Sequence, residues 1–324
     1  MRSGLSGWHT GDKVVSPHQK DAKKCSLCNE PAVIRYKNPE RHLCCSHLNE
    51  HVRECTIRTI DRNRLISPGD HIAVALSGGK DSTALLILLH QILPGYPDVS
   101  MSAITIDEGI AGYRDATIYS AEELAAHLGV EHRIMRFSDL FGDDLDTLLV
   151  GREKEACTVC GVLRRRALVK AARQVAATKL ATGHNLDDEA QSVLMNVLRG
   201  DLPRLMQDTS SGNPGCFIPR IKPLSALTEK EIATFLFIQG HFPDLPECPY
   251  AGYALRSEVR SMLSGLENSY PGTMKNLIRS REIIRTRMQQ TAKSGSFRSC
   301  RECGDPCSGE ICQVCRKVGI RREA

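Results

Sequence analysis

Residues 72–89 read IAVALSGGKDSTALLILL. A short apolar run, a glycine pair and a long apolar run give the order strand, tight loop, helix. Gly78 and Gly79 have no Cβ, so their backbone can turn sharply and bring N–H groups close to an anion. The loop delivers that anion to a helix N-terminus, where unpaired N–H groups and the helix dipole favour negative charge. Lys80 adds a cation, and Ser77, Ser82 and Thr83 add hydroxyls. Asp81 is unsuited to gripping phosphate and suited to binding Mg²⁺ or ordering the loop. A Walker A loop needs four residues between its first glycine and Gly-Lys, so this is a different phosphate loop.

Strand and helix alternate outward from this loop. HIAVAL (71–76), SMSAITI (100–106), EHRIMRF (131–137) and TKLATGH (178–184) read as strands. TALLILLHQIL, TIYSAEELAAHLG, CGVLRRRALVKAARQVAA and DDEAQSVLMNVLRG read as helices. Such alternation predicts an α/β fold with a doubly wound parallel sheet. Ligands of these sheets sit at the carboxyl ends of strands. Ile106 in TIDEGI is therefore placed to meet a base by side chain or backbone. In TGHNLDDEA, Gly183 permits close approach. Asp187 and Asp188 open a helix there, either as dipole partners or as acid/base or metal groups. Beyond about residue 225 the text is helical.

The chain has 324 residues, 41% apolar and 25% charged, with 43 basic and 38 acidic side chains for a net charge of +5. That balance suits a globular protein and permits a nucleic-acid partner without demanding one. The first 20 residues lack an apolar core, and the longest apolar stretch is too short to span a bilayer, so no membrane association and a cytoplasmic location are expected. In a reducing compartment, 14 cysteines point to metal ligation rather than disulfides.

Ten of the cysteines lie near the two ends. Cys25 and Cys28 form one hook, and Cys44 with His47 forms a second, the spacing of a tetrahedral zinc site. Cys45 is an alternative to Cys44. At the other end, Cys300 with Cys303 and Cys312 with Cys315 make a four-cysteine ribbon, leaving Cys307 in the turn. The expected organisation is a flexible tail (1–21), an N-terminal zinc finger with a linking helix (22–64), an α/β domain built on the phosphate loop (65–225), a helical region (226–295), a C-terminal zinc ribbon (296–318) and a basic tail (319–324).

Cys157 and Cys160, in ACTVCGVLRRR (156–166), belong to neither module. A thioredoxin-type redox pair would follow the first strand of its fold, and this pair precedes the fourth. A third thiol, from Cys248 or Cys216, would complete a set suited to an iron–sulfur cluster with one iron left open. Cys248 is favoured because flanking prolines stiffen its loop.

The loop SGGKDS resembles the PP-loop of the ATP pyrophosphatase superfamily. Together with DEGIAGYRD, CTVCGVLRRRAL, TGHNLDDEAQSVLMNVLRGD, ECPYA and the two terminal modules, it resembles the tRNA 2-thiouridine synthetases over residues 22–318. The branch most resembled is the archaeal and eukaryotic cytosolic wobble-uridine 2-thiolation proteins; a sister branch thiolates uridine 54. The resemblance implies that ATP adenylates C2 of a tRNA uridine, most of all uridine 34, and that sulfur then displaces AMP. It implies two Zn²⁺, Mg²⁺ and a [4Fe-4S] cluster on Cys157, Cys160 and Cys248, with ATP as co-substrate. It places Ala75, Ser77, Asp81, Ile106 and Gly183 at ATP-contacting positions, to which the loop reading adds Gly78, Gly79, Lys80 and Ser82. Arg164 stands where the uridine-54 branch has an ATP-contacting lysine; a guanidinium is a planar fork rather than a point charge. Lys80, Asp188, Cys157 and Cys160 are the catalytic candidates, with Asp187 behind Asp188. Arg165, Arg166, Arg199 and Arg204 are candidates for tRNA contact, with solvated helix faces as the alternative. A ubiquitin-like sulfur carrier or free sulfide would be the sulfur donor, and the family expectation is a homodimer. The alternatives are thiolation of uridine 54 and a cluster-free route through a cysteine persulfide.

Overall fold

The structure is a computed structural model that describes residues 23–206, 218–241, 245–253, 255–289 and 298–318. The expected tails (1–21 and 319–324) and Cys216 lie outside the described residues. In chain order come β1 (Ile34–Lys37), β2 (Glu40–Leu43), α1 (Cys45–Arg62), β3 (His71–Ala75), α2 (Lys80–Ile92), β4 (Ser100–Asp107), α3 (Arg114–His127) and β5 (His132–Arg136). Then follow α4 (Phe137–Phe141), α5 (Leu145–Leu148), α6 (Ala156–Gln174), β6 (Lys179–Ala181), α7 (Leu186–Leu198), α8 (Leu202–Met206) and β7 (Arg220–Ile221). The chain continues through α9 (Glu229–Ile238), α10 (Leu255–Ser269), α11 (Thr273–Gln289), β8 (Arg298–Ser299), β9 (Pro306–Cys307) and α12 (Gln313–Val318).

The central sheet is parallel throughout, in the order β5-β4-β3-β6-β7. The chain winds outward from β3 to β5, then returns to the other side of β3 for β6 and β7. The carboxyl ends of β3 and β6 therefore bound the switch-point crevice where such sheets bind ligands.

Period-two alternation along β3 splits the core into two layers. Ile72 and Val74 pack with Leu48 and Val52 of α1, Leu85 and Leu89 of α2, Ala121 of α3 and Phe235 of α9. Ala73 packs on the opposite face with Ile104 of β4, Phe137 of α4 and Val159 and Leu163 of α6. Helix α2 is buried on nearly every side, from Ala84 to Leu89, which explains why its sequence carries no polar stripe. A third small core joins α7, α10 and α11 around Ala190, Val259, Leu263 and Met274.

Two elements differ from the sequence reading. Helix α6 starts at Ala156 and includes Cys157, whereas the predicted helix begins at Cys160. Strand β7 was not foreseen; two residues between Pro219 and Pro223 carry no strand pattern of their own and gain ladder bonds only beside β6.

Candidate functional site

The loop between β3 and α2 is tied by its own hydroxyls. Ser82 Oγ accepts from the Ser77 N–H at 3.1 Å and donates to the Gly79 carbonyl at 2.8 Å. Gly78 has φ +84°, and a Cβ there would collide with the Thr117 carbonyl of α3. Only glycine permits that turn and that approach. Gly183, after β6, packs on the other side, where a Cβ would lie 2.8 Å from the Asp81 backbone carbon. Asp81 bridges the crevice: Oδ1 accepts from Asn185 Nδ2 at 3.0 Å, and Oδ2 accepts from Lys80 Nζ at 2.8 Å. Lys80 also pairs with Glu229 of α9 at 2.9 Å. Its cation is thus held between two carboxylates, one from the loop and one from α9.

At the start of α7, Asn185 and Asp188 form a capping box. Asp188 also pairs with Arg256 of α10 at 3.1 Å. Asp187 accepts the Glu229 N–H at 2.8 Å, and burial raises its pKa above the usual carboxylate range. Burial, with Lys222 and Arg220 nearby, holds His184 down at about 4, so it is neutral at pH 7. Ala75 is half-buried at the end of β3. Ile106 packs into the core, and its carbonyl accepts from Arg114.

The turn after β4 carries Glu108, and α3 opens with Arg114; neither is among the candidate site residues read from the sequence. Glu108 Oε1 accepts from Arg164 Nε at 2.5 Å, and Arg114 donates to the Ser77 carbonyl at 3.3 Å. Arg164 Nη2 reaches Cys160 Sγ at 3.2 Å. Arg164 therefore joins the carboxylate to the cysteine site. Cys157 sits one turn earlier on α6 and donates to the Tyr250 carbonyl at 3.6 Å, beside Cys248. Burial pushes the Cys160 thiol up to about 11, against the pull of Arg164, and charge on Cys248 would raise both Cys157 and Cys160. The three soft donors share one electrostatic environment, and thiolates are the donor type that iron–sulfur clusters take.

Two other groups among the described residues have ligand atoms that all lie within 4.8 Å of one another: Cys25, Cys28, Cys44 and His47, and Cys300, Cys303, Cys312 and Cys315. A tetrahedral ion with Zn–S of about 2.3 Å places its sulfurs ~3.8 Å apart. The Sγ–Sγ distances are 3.7 Å for Cys28–Cys44, 3.7 Å for Cys303–Cys312 and 3.9 Å for Cys300–Cys315. These separations match the edge of one tetrahedral ion, so the donor sets fit zinc. The described cysteines are all free. Cys44 is buried in the first group, and Cys45 is exposed outside it. The loop closed by the Lys24–Pro31 bridge carries Cys25 and Cys28, and the start of α1 brings Cys44 and His47; the β8–β9 hairpin and α12 present the second set.

Arg166 has a destination the sequence did not reveal. It donates to Cys303 Sγ at 3.2 Å and pairs with Asp305 at 2.8 Å, clamping the C-terminal module onto α6. Arg199 is exposed after α7, and Arg204 pairs with Asp201 at 3.3 Å on the surface. Arg165 is exposed on α6 within the field of Arg220, Arg204 and Arg164. Among the described residues, no helix is long and apolar enough to cross a membrane.

Comparison with known proteins agrees with this arrangement. Residues 49–241 match the PP-loop domain family. The chain is 35% identical to the tRNA 2-thiolation protein NcsA of Haloferax volcanii, covering 91% of this chain and 98% of that protein. It is 37% identical to cytoplasmic tRNA 2-thiolation protein 1 of Bos taurus, over 93% of this chain and 89% of the relative. It is 31% identical to a tRNA-5-methyluridine(54) 2-sulfurtransferase of Pyrococcus horikoshii, over 93% and 95%. Among solved structures, the U34-tRNA thiolase NcsA of Methanococcus maripaludis, determined with its [4Fe-4S] cluster, superposes with a TM-score of 0.78 at 31% identity, over 91% of this chain and 95% of that one. The match over residues 49–241 and identities of 35% and 37% to relatives covered over 98% and 89% of their length place this chain in the PP-loop family of tRNA 2-thiolation proteins.

Proposed function

We propose that the chain is a cytoplasmic, ATP-dependent tRNA thiolase that replaces the C2 oxygen of wobble uridine 34 with sulfur. The observation that carries this reading is the direct connection of the two half-sites: Arg114 touches the nucleotide loop, Arg164 touches Cys160, and both meet at Glu108. A nucleotide site and a thiol site joined in this way suit a reaction that first adenylates an oxygen and then delivers sulfur to the same carbon. The arginine run at 164–166 and the likeness to a uridine-34 thiolase favour position 34 over position 54.

In this reading ATP lies along the carboxyl ends of β3, β4 and β6. Its phosphates rest on Gly78, Gly79, Ser77 and Ser82, with Ala75, Ile106 and Gly183 lining the nucleotide. Lys80 leaves Glu229 for the phosphates, and Asp81, whose oxygens each keep a free lone pair, is the loop carboxylate for Mg²⁺. The C2 oxygen of the uridine attacks the α-phosphorus, pyrophosphate departs, and the C2–O bond becomes the bond to a good leaving group. Lys80 and Arg164 offset the charge that develops on the phosphates. Sulfide then adds to C2, and AMP leaves with the original oxygen. Asp188 takes the acid/base role, with Arg256 holding its carboxylate. A [4Fe-4S] cluster on Cys157, Cys160 and Cys248 would leave one iron without a protein ligand, a place to bind sulfide. The zinc modules, with Arg165, Arg199 and Arg204, meet the tRNA backbone. Sulfide itself or a sulfur-carrier protein supplies the sulfur, and two copies of the chain assemble as a dimer.

The test is mass spectrometry of tRNA from a strain lacking the gene, read separately at positions 34 and 54. Loss of 2-thiouridine at 34 with 54 unchanged is expected. Loss confined to 54 overturns the choice of position, and no loss at either overturns the function.

A further inference from the structure

Glu108 and Arg114 are 2% and 4% exposed. Taking a carboxylate and a guanidinium out of water is costly, and a buried pair is weak evidence of a stabilising role. What these two touch is more informative. Arg114 donates to the Ser77 carbonyl at 3.3 Å, to Thr117 Oγ1 at 2.9 Å and to the Ile106 carbonyl. Its Nε lies 2.8 Å from Glu108 Oε2, although neither atom makes a hydrogen bond, so their attraction is charge on charge. The other carboxylate oxygen holds Arg164 Nε, and Arg164 Nη2 ends on Cys160 Sγ at 3.2 Å. One carboxylate is thus shared by two guanidiniums that end on different half-sites.

The carboxylate also has a fixed base. The Glu108 carbonyl accepts from the Leu145 N–H at 2.8 Å. Gly109 follows with φ +70°, and a Cβ there would strike the Asp144 side chain. The turn is held on both sides of Glu108, so this side chain reaches the two half-sites from a fixed base.

We infer that Glu108 is a positioning residue: it holds Arg164 on Cys160 and Arg114 on the nucleotide loop, and so keeps the adenylating and sulfur-bearing half-sites in register. The inference rests on Cys160 belonging to the sulfur-bearing site, as proposed above.

A double-mutant cycle on the full-length, anaerobically purified protein tests it. Glu108→Gln keeps shape and removes charge; Arg164→Lys keeps charge and removes the fork that spans Glu108 and Cys160. One readout is the rate at which a ferrous chelator strips iron; the other is affinity for ATP by calorimetry. Glu108→Gln should speed iron loss and weaken ATP binding, each by about 5-fold or more. Arg164→Lys should speed iron loss, and the double variant should lose iron no faster than Glu108→Gln alone, because Glu108 acts on the cysteine site through Arg164. A residue that merely stabilised the fold would give multiplicative rates, and that result, or wild-type behaviour of Glu108→Gln, overturns the inference. If Glu108→Gln does not fold, Glu108→Asp takes its place in the cycle, with the same non-additivity expected. A wild-type protein without iron would instead sink the cluster reading. The same cycle is then read from the alkylation rate of Cys160 by iodoacetamide, where additivity is again the refuting outcome.

Discussion

Glu231 is where the N-terminal module and the nucleotide domain depend on each other. Its Oε1 accepts from Tyr36 OH of β1 at 2.9 Å and lies 3.0 Å from His51 Nε2 of α1. Its Oε2 accepts from the Thr228 N–H and hydroxyl, each at 2.7 Å. Burial alone would raise its pKa; these four partners outweigh burial and lower it from an ordinary 4.5 to about 2. At 1.36 kcal/mol per pH unit, that drop corresponds to about 3 kcal/mol of folding stability, to order of magnitude. The folded pKa is depressed, so the contribution is fully present above pH 4.5 and is lost as pH falls towards 2. Glu231→Gln should therefore lower the unfolding free energy at pH 7 by about 3 kcal/mol, and its deficit relative to wild type should shrink between pH 4.5 and 3. Urea denaturation followed by circular dichroism measures both. Protonation of the metal-module thiols affects both chains alike, so the difference between them is the quantity to read. A deficit at pH 7 below about 0.5 kcal/mol, or one that grows with acid, would refute the assignment.

Gly78→Ala must leave φ +84° or push into the Thr117 carbonyl. The left-handed backbone alone costs roughly 1–2 kcal/mol, so ATP affinity should fall by about 10-fold or more. Calorimetry reads it, and wild-type affinity would show that the loop does not hold the phosphates. Cys303→Ser removes one corner of the second tetrahedron and a sulfur that Arg166 touches. It should lower zinc by one ion per chain in elemental analysis and lower the melting temperature; unchanged zinc would refute the ligand set.

The core of the fold was legible because its signals are local. β3, the loop and α2 follow one another, and each glycine needed for the turn stands in the text. The terminal hooks, which the structure brings together, were legible for the same reason: a two-residue gap sets two side chains side by side. What escaped was set by distance along the chain. Arg166 meets Cys303 across 137 positions, and nothing around either residue announces the other. Lys80 and Glu229 pair across the crevice. β7 is a strand only because β6 lies beside it. Glu108 and Arg114 stood in a stretch quoted for its resemblance, but acidic and basic residues in a turn usually face water, and only the packing of α3 and α6 shows these two enclosed.

The clamp of Arg166 on the C-terminal module sets an order of events during synthesis. Helix α6 leaves the ribosome carrying Cys157 and Cys160, while Cys248 and the partners of Arg166, Cys303 and Asp305, are still to be translated. Domains tend to fold as they emerge, N-terminal part first. Helix α6 can pack on β3 and β4 as soon as it emerges, through Val159 and Leu163, but its Arg166 has no partner from the C-terminal module until the last residues arrive. Completion of the thiol site and its clamp is then a late step, and a nascent chain stalled before residue 248 would expose two cysteines with no third and no clamp behind them.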